Sequence, residues 1–487
     1  MPSSSRSPRL IALFVALGLL ASACGGERPT IEEGGASREV TAEDESPTTT
    51  GAPASEPVTL RLGVGGPWTG DPADAGPTVV ANRVIAGLLH EGLTAVDGNG
   101  AIVPGLAERW FVSDDRLQWT FVLPEGLTDN LGGVLTARDV KASLERLAER
   151  GPADQQVVAL RAIDGWEAFV AGSSGGAAGI AAADDSTLVI TLTTPFEPLG
   201  AVLADPAFGI TGTTDDGAVR TTGAYRYGGD DTLVAVDPDS GVPTVELVST
   251  NGNGGALLAS GAVDWAVLLP RDTNDMVPGD VIRQPLGLQT GIVVRLPDGD
   301  ERGAVLSALN GTELALELSN SSVAISPGVA GSDDDLPSTV TVHLPEGPLG
   351  ALAPELERQL ERAGAQPEIL VVAPDVFAAA VLDGTAQVFP MAVAGSGFAR
   401  STIAGGWPGG LDDVFGTADE ARSELLASLW AEQDPAQRTL LITAAEERLR
   451  EERLWLPVAN AEVRIGLSAE MAPLRVLADG TLDLSGF

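Results

Sequence analysis

Aromatic and polar side chains standing in glycine-rich turns are the residues here best suited to chemistry, and that chemistry is binding. Trp68 and Asp71 lie in GPWTGDPADAGP (66–77). Tyr225 and Tyr227 are the only two tyrosines in 487 residues and follow the turn Thr221-Thr222-Gly223. Arg400 and Trp407 stand in AGSGFARSTIAGGWPGG (394–410). A solute cleft needs a few aromatic walls and a few convergent polar groups, and an arginine can pair with a ligand carboxylate. Tyr225 could equally serve the core, and Trp68 could plug its loop.

Other chemistries find little support. His90 and His343 are far apart, and neither has a Cys or carboxylate at ligand spacing, so no metal or cofactor is expected. Ser173, Ser174 and Ser396 sit in glycine-rich loops with no base nearby. Asp184-Asp185, Asp333-Asp334-Asp335 and Asp412-Asp413 are adjacent in sequence, point apart, and suit turns better than paired acid–base work. Gly63-Val64-Gly65-Gly66 imitates the start of a dinucleotide fingerprint, but its third glycine would fall on Trp68 and Pro67 interrupts the helix start. No catalytic set emerges, so the chain is not read as an enzyme.

Length and charge narrow the class. A chain of 487 residues with 44% apolar content predicts two or three folded domains. With 68 acidic and 29 basic residues the net charge is −39, a field that repels phosphate backbones and argues against nucleic acid. Arg6 and Arg9 precede the apolar run Leu10–Ala23, fourteen residues long and too short to span a bilayer. Small residues then lead to Cys24, the only cysteine. This resembles a bacterial lipoprotein signal peptide (1–23), with Cys24 as the lipidated residue and 24–57 as a flexible tether. An extracytoplasmic protein, lipid-anchored at the cell membrane, is the expectation.

The elements that must position these residues can be read in order. VTLRLGV (58–64) alternates as a first strand, and a helix is predicted around 79–89. In LQWTFVLPEGLTDNLGGVLTARDVKASLERL (117–147), Trp119, Phe121 and Leu123 form one face of a strand. Gly126 and Gly132-Gly133 turn the chain, and Thr136 with Asp139 forms a capping pair ahead of Val140, Leu144 and Leu147 on one helix face. Helices are also predicted over 352–364 and 375–383. A longer one runs from the Asp434 cap and Pro435 to about 452, and a strand follows over 454–459.

The order and spacing of these pieces resemble the family 5 extracellular solute-binding proteins, the oligopeptide-, dipeptide- and nickel-binding receptors of ABC importers. The segments that carry the likeness are Asp71-Pro72-Ala73, Glu91-Gly92-Leu93, Ile102–Trp110, Ser113-Asp114-Asp115, Trp119–Leu123 and Leu135–Arg146. Further matches are Ile163–Trp166, Leu188–Leu192, Thr194-Pro195-Phe196, Thr221–Arg226 and Leu257–Trp265. The resemblance implies an α/β, two-lobed periplasmic-binding-protein-like fold (class II, large cluster C type) with an extra subdomain in the first lobe. It divides the chain into lobe I (58–288 plus 463–487, with a subdomain at about 100–200) and lobe II (289–462). It implies a monomer that captures a small peptide or other small solute between its lobes and passes it to permease subunits. Trp68, Asp71, Tyr225, Arg400 and Trp407 are the expected ligand contacts. The chain departs from the family in a shortened block at 290–340, and after the strand 387–393 it lacks the Asp that pairs with a peptide ammonium. Those departures leave a second expectation open, an envelope scaffold or sensor that keeps the fold without transport.

Overall fold

Alternating apolar residues build the strands of one large sheet, and its two longest members tie its halves together. The computed structural model describes residues 58–486, apart from 66–67, 76–79, 98–100, 151–154, 215–216, 230, 270–271, 319–321, 325–334, 395–418, 472–473, 478–479 and 485. The signal segment 1–23, the tether 24–57 with Cys24, and the loop residues Arg400 and Trp407 lie outside the described residues.

The first strand, Thr59–Val64, buries Leu60, Leu62 and Val64 and runs parallel to Thr244–Ser249 and Trp265–Leu268. On the far side of Thr244–Ser249 the sheet ends in Thr232–Ala235 and Tyr225–Gly229. Beyond Trp265–Leu268 come two long antiparallel strands, Trp455–Leu467 and Val281–Val294. These continue into the second half, where Val388–Ala394, Thr339–Pro345 and Gln366–Val372 complete the order. The register of the long pair shifts between Pro285 and Leu288 and again between Thr290 and Gly291. A bulged pair bends and twists locally, so both chain crossings between the halves pass through an irregular ladder. The short strand Ser322–Ala324 pairs with Ala459–Ala461, taking the edge that Trp265–Leu268 holds further along the same strand.

The compressed block after 290 forms two short helices that its sequence pattern does not announce. Gly299–Ala308 is capped by the Asp298 carboxylate and Gly311–Glu317 by the Asn310 side chain.

A separate four-stranded antiparallel sheet is ordered Arg109–Val112, Gln118–Val122, Thr187–Thr191, Ile180–Ala182. Helix Ala137–Arg146 packs on it through Val140 and Leu144. The Asp139 carboxylate accepts from the Thr136 amide at 2.8 Å, the reach-back expected of the capping pair. Trp119, Phe121 and Leu123 are buried as the alternation predicts. The predicted strand at 454–459 is longer than expected, because Val463, Ile465 and Leu467 continue the alternation against Glu462 and Arg464.

Candidate functional site

The loop after the first strand is the best-positioned candidate, because it leaves the sheet at the carboxyl ends of parallel strands, where α/β proteins place ligands. Hydrogen bonds and ion pairs fix its path. Asp71 accepts from the Ala73 amide at 2.8 Å and caps the 3-10 turn Pro72–Asp74. Its two carboxylate oxygens also accept from Arg146 Nη1 and Nη2, both at 2.9 Å. Asp74 pairs with Arg150 at 3.2 Å, and the Thr69 hydroxyl donates to Asp74 at 2.8 Å. Arg83, buried, pairs with Asp205 at 2.9 Å and donates to the Ala75 carbonyl at 3.2 Å. The loop is thus stapled to the helix of the small sheet, and a bidentate carboxylate–guanidinium pair fixes orientation as well as distance.

His90 sits beneath this loop. Its Nε2 lies 2.9 Å from the Gly70 carbonyl and its Nδ1 lies 3.2 Å from the Ile210 carbonyl. Burial pulls its pKa down to about 4 against the two carbonyls and Asp71, which favour the charged ring; Arg146 opposes the charge. A neutral imidazole has one N–H, so it satisfies one of the two carbonyls at a time. Burial also raises the pKa of the neighbouring Glu91 carboxyl. Asp71 is itself partly buried, which works to raise its pKa, but Arg146 and the Ala73 amide outweigh this and hold it below the usual carboxylate range.

Three of the expected ligand residues share this corner. Trp68 is half-buried against the cluster of Leu60, Leu62, Ile85 and Leu89, and Tyr225 belongs to the same cluster. Tyr227 packs on it too, so close to Gly70 that a β-carbon at that position would overlap the Tyr227 hydroxyl. Tyr225 is 1% exposed and its hydroxyl donates to the Pro243 carbonyl at 2.8 Å, which gives it a core position with its polar end already satisfied. The Asp71 carboxylate, likewise, is engaged by Arg146 and Ala73. Of the three, Trp68 alone presents partly open surface without a described hydrogen-bond partner to give up. Arg400 and Trp407 lie outside the described residues, so no geometry relates them to this corner.

A second polar feature marks the crossing strands. Gln289 Nε2 donates to Asn460 Oδ1 at 3.3 Å where the ladder slips, and Gln284 and Thr290 are buried nearby in sequence. Buried amides and hydroxyls are uncommon in a sheet core unless paired or used. Among the described residues, no group of three or more His, Cys, Asp or Glu could hold a metal ion, and no helix is long and apolar enough to cross a membrane. Nothing in the spacing of the chain announced Arg146 as the partner of Asp71 or Arg83 as that of Asp205.

Comparison with known proteins fits this arrangement. Residues 101–236 match the sequence profile of the bacterial extracellular solute-binding proteins, family 5, middle region. The fold is similar to that of the Haemophilus influenzae OppA complex with the peptide RPPGFSPFR, with a TM-score of 0.63 at 14% identity over 88% of this chain and 99% of that one. The architecture is the two-lobed α/β fold of these binding proteins. The family 5 likeness in sequence is confined to part of the chain. The probable deoxycholate-binding periplasmic protein YgiS of Escherichia coli strain K12 is 34% identical over 143 residues, 29% of this chain and 26% of its own length. The dipeptide-binding protein of Lactococcus lactis subsp. cremoris strain MG1363 is 30% identical over 125 residues, 26% of this chain and 23% of its own length. The matches thus span about a quarter of the curated relatives, and the profile match at 101–236 includes the small sheet and its helix.

Proposed function

We propose that the chain is an extracytoplasmic substrate-binding lipoprotein of an ABC importer, taking a small peptide or other small solute between two lobes and presenting it to permease subunits. The observation that carries this reading is the pair of long strands, Val281–Val294 and Trp455–Leu467, whose ladder is irregular where both cross between the halves of one sheet. Two bodies linked through such crossings can hinge, and a solute that binds the closed arrangement better draws the population toward it. Lobe I is assigned to 58–288 plus 463–487, with its subdomain at about 100–200, and lobe II to 289–462. Trp68 supplies an aromatic wall with Tyr227 behind it, and Asp71 holds the loop in place through Arg146. Arg400 and Trp407 are proposed as the facing contacts from lobe II. Cys24 is proposed as the lipid anchor point, and the monomer as the working form.

The ligand class is drawn from relatives that are themselves diverse. Those named here are described as binding a dipeptide, a nine-residue peptide and, probably, deoxycholate. A thermal-shift screen of the full chain against short peptides, amino acids, opines and bile acids tests the proposal. A class that raises the melting temperature supports a receptor, and Trp68→Ala should then weaken binding about tenfold, the cost of losing one aromatic wall. No shift with any class would leave the scaffold reading in its place.

A further inference from the structure

The small sheet and the second half of the large sheet meet at a contact far from the crossing strands in sequence. Helix Glu420–Ala431 lies between strands Val388–Ala394 and Trp455–Leu467, so it belongs to the second half. An α-helix leaves its last carbonyls without partners of its own. Here two of them are satisfied by the small-sheet region. The Glu197 amide donates to the Trp430 carbonyl at 2.9 Å, and Arg116 Nη1 donates to the Ala431 carbonyl at 3.0 Å. A cation also suits the negative end of a helix dipole.

Two further observations fall on the same spot. The Phe196 ring meets Trp430 edge-on, with centroids 6.5 Å apart and planes at 83°, and both are buried at 6% and 7% exposure. Arg116 holds φ of 60°, a backbone region costly for a residue with a β-carbon, and its guanidinium stands 3.5 Å from the Glu197 carboxylate. Burial pushes the Glu197 pKa up, against the pull of Arg116 and Arg438. Trp430 Nε1 is buried with no hydrogen-bond partner among the described residues. Opening the contact would hydrate that donor, which limits how tightly the contact holds.

We infer that Arg116, Phe196 and Glu197 form a clasp on the end of helix Glu420–Ala431 that biases the two lobes toward closure without solute, and so sets solute affinity from outside the cleft. This rests on the reading of the chain as two hinged lobes. A ligand's apparent affinity scales with the fraction of protein already in its binding-competent state. The clasp raises that fraction and slows exchange, since solute must wait for it to open.

Spin labels at Ser173→Cys in the small-sheet region and Glu361→Cys on helix Ala353–Ala363 of the second half, both exposed, give the test in the full chain carrying Cys24→Ser. The label–label distance distribution is measured without solute and with a mixture of short peptides. Arg116→Gly removes the guanidinium and relieves the left-handed backbone, so it should fold normally. It is expected to raise the open-to-closed ratio about threefold to fivefold, the range for a cation at a helix terminus. Arg116→Lys keeps the cation and should stay near wild type, and Phe196→Ser should open the pair further. Distances that respond to peptide but not to Arg116→Gly or Phe196→Ser would overturn the clasp and leave the hinge intact. Distances unchanged by every variant and by peptide would overturn both.

Discussion

Tyr225 shows how a residue type can suggest two roles and its surroundings decide. Its pairing with Tyr227 after a glycine turn fits a binding wall, yet its ring is sealed in the first core and its hydroxyl is bonded to Pro243. Tyr225→Phe should therefore cost about 1 kcal/mol of stability in urea unfolding, one buried hydrogen bond, and leave solute affinity unchanged. Asp71 behaves as a brace. Asp71→Ala removes a cap and a half-exposed ion pair, and after allowing for solvent screening it should cost about 1–2 kcal/mol, read as a lower urea midpoint. His90 gives a pH signature. Its folded pKa, about 4, lies below the ordinary histidine value of about 6.5, so between these values the unfolded chain holds more protons. The His90 contribution is present above pH 6.5 and is lost as pH falls toward 4, a span of about 3 kcal/mol. Urea unfolding across that window should show this slope, and His90→Gln should flatten it.

Elements with local signals were legible in the sequence. The strand Gln118–Val122 and helix Ala137–Arg146 follow from a period of two, a period near four and a capping pair, all within thirty residues or so of one another. The Asp434 cap and Pro435 likewise open a helix, Pro435–Glu451. The full length of Trp455–Leu467 was there to be read, since Val463, Ile465 and Leu467 extend its alternation. What local pattern does not encode is which distant charges meet. Asp71 and Arg146 are 75 residues apart, and Arg83 and Asp205 are 122 apart. Aromatics in glycine turns read as ligand walls because turns usually face solvent, but tertiary packing covered Tyr225. The crossing strands carry their own test. A β-carbon at Gly291, beside the second register shift, would press on the Trp455 ring and sit 2.6 Å from the Leu456 carbonyl. Gly291→Ala should cost about 2 kcal/mol in urea unfolding, the usual penalty for overpacking.

At the scale of the molecule, one sheet runs through both halves, and its two long strands lose register between them. The small sheet then adds a contact at the far side of the chain path, through Arg116, Phe196 and Glu197 to the end of helix Glu420–Ala431. The acidic surface implied by a net charge of −39 keeps phosphate polymers away while leaving a small neutral or cationic solute free to approach. Small-angle scattering of the full chain, titrated with whichever solute raises its melting temperature, tests closure on a solute. The radius of gyration should fall and level off at one solute per chain. A radius that stays flat through saturation would contradict capture between two closing lobes.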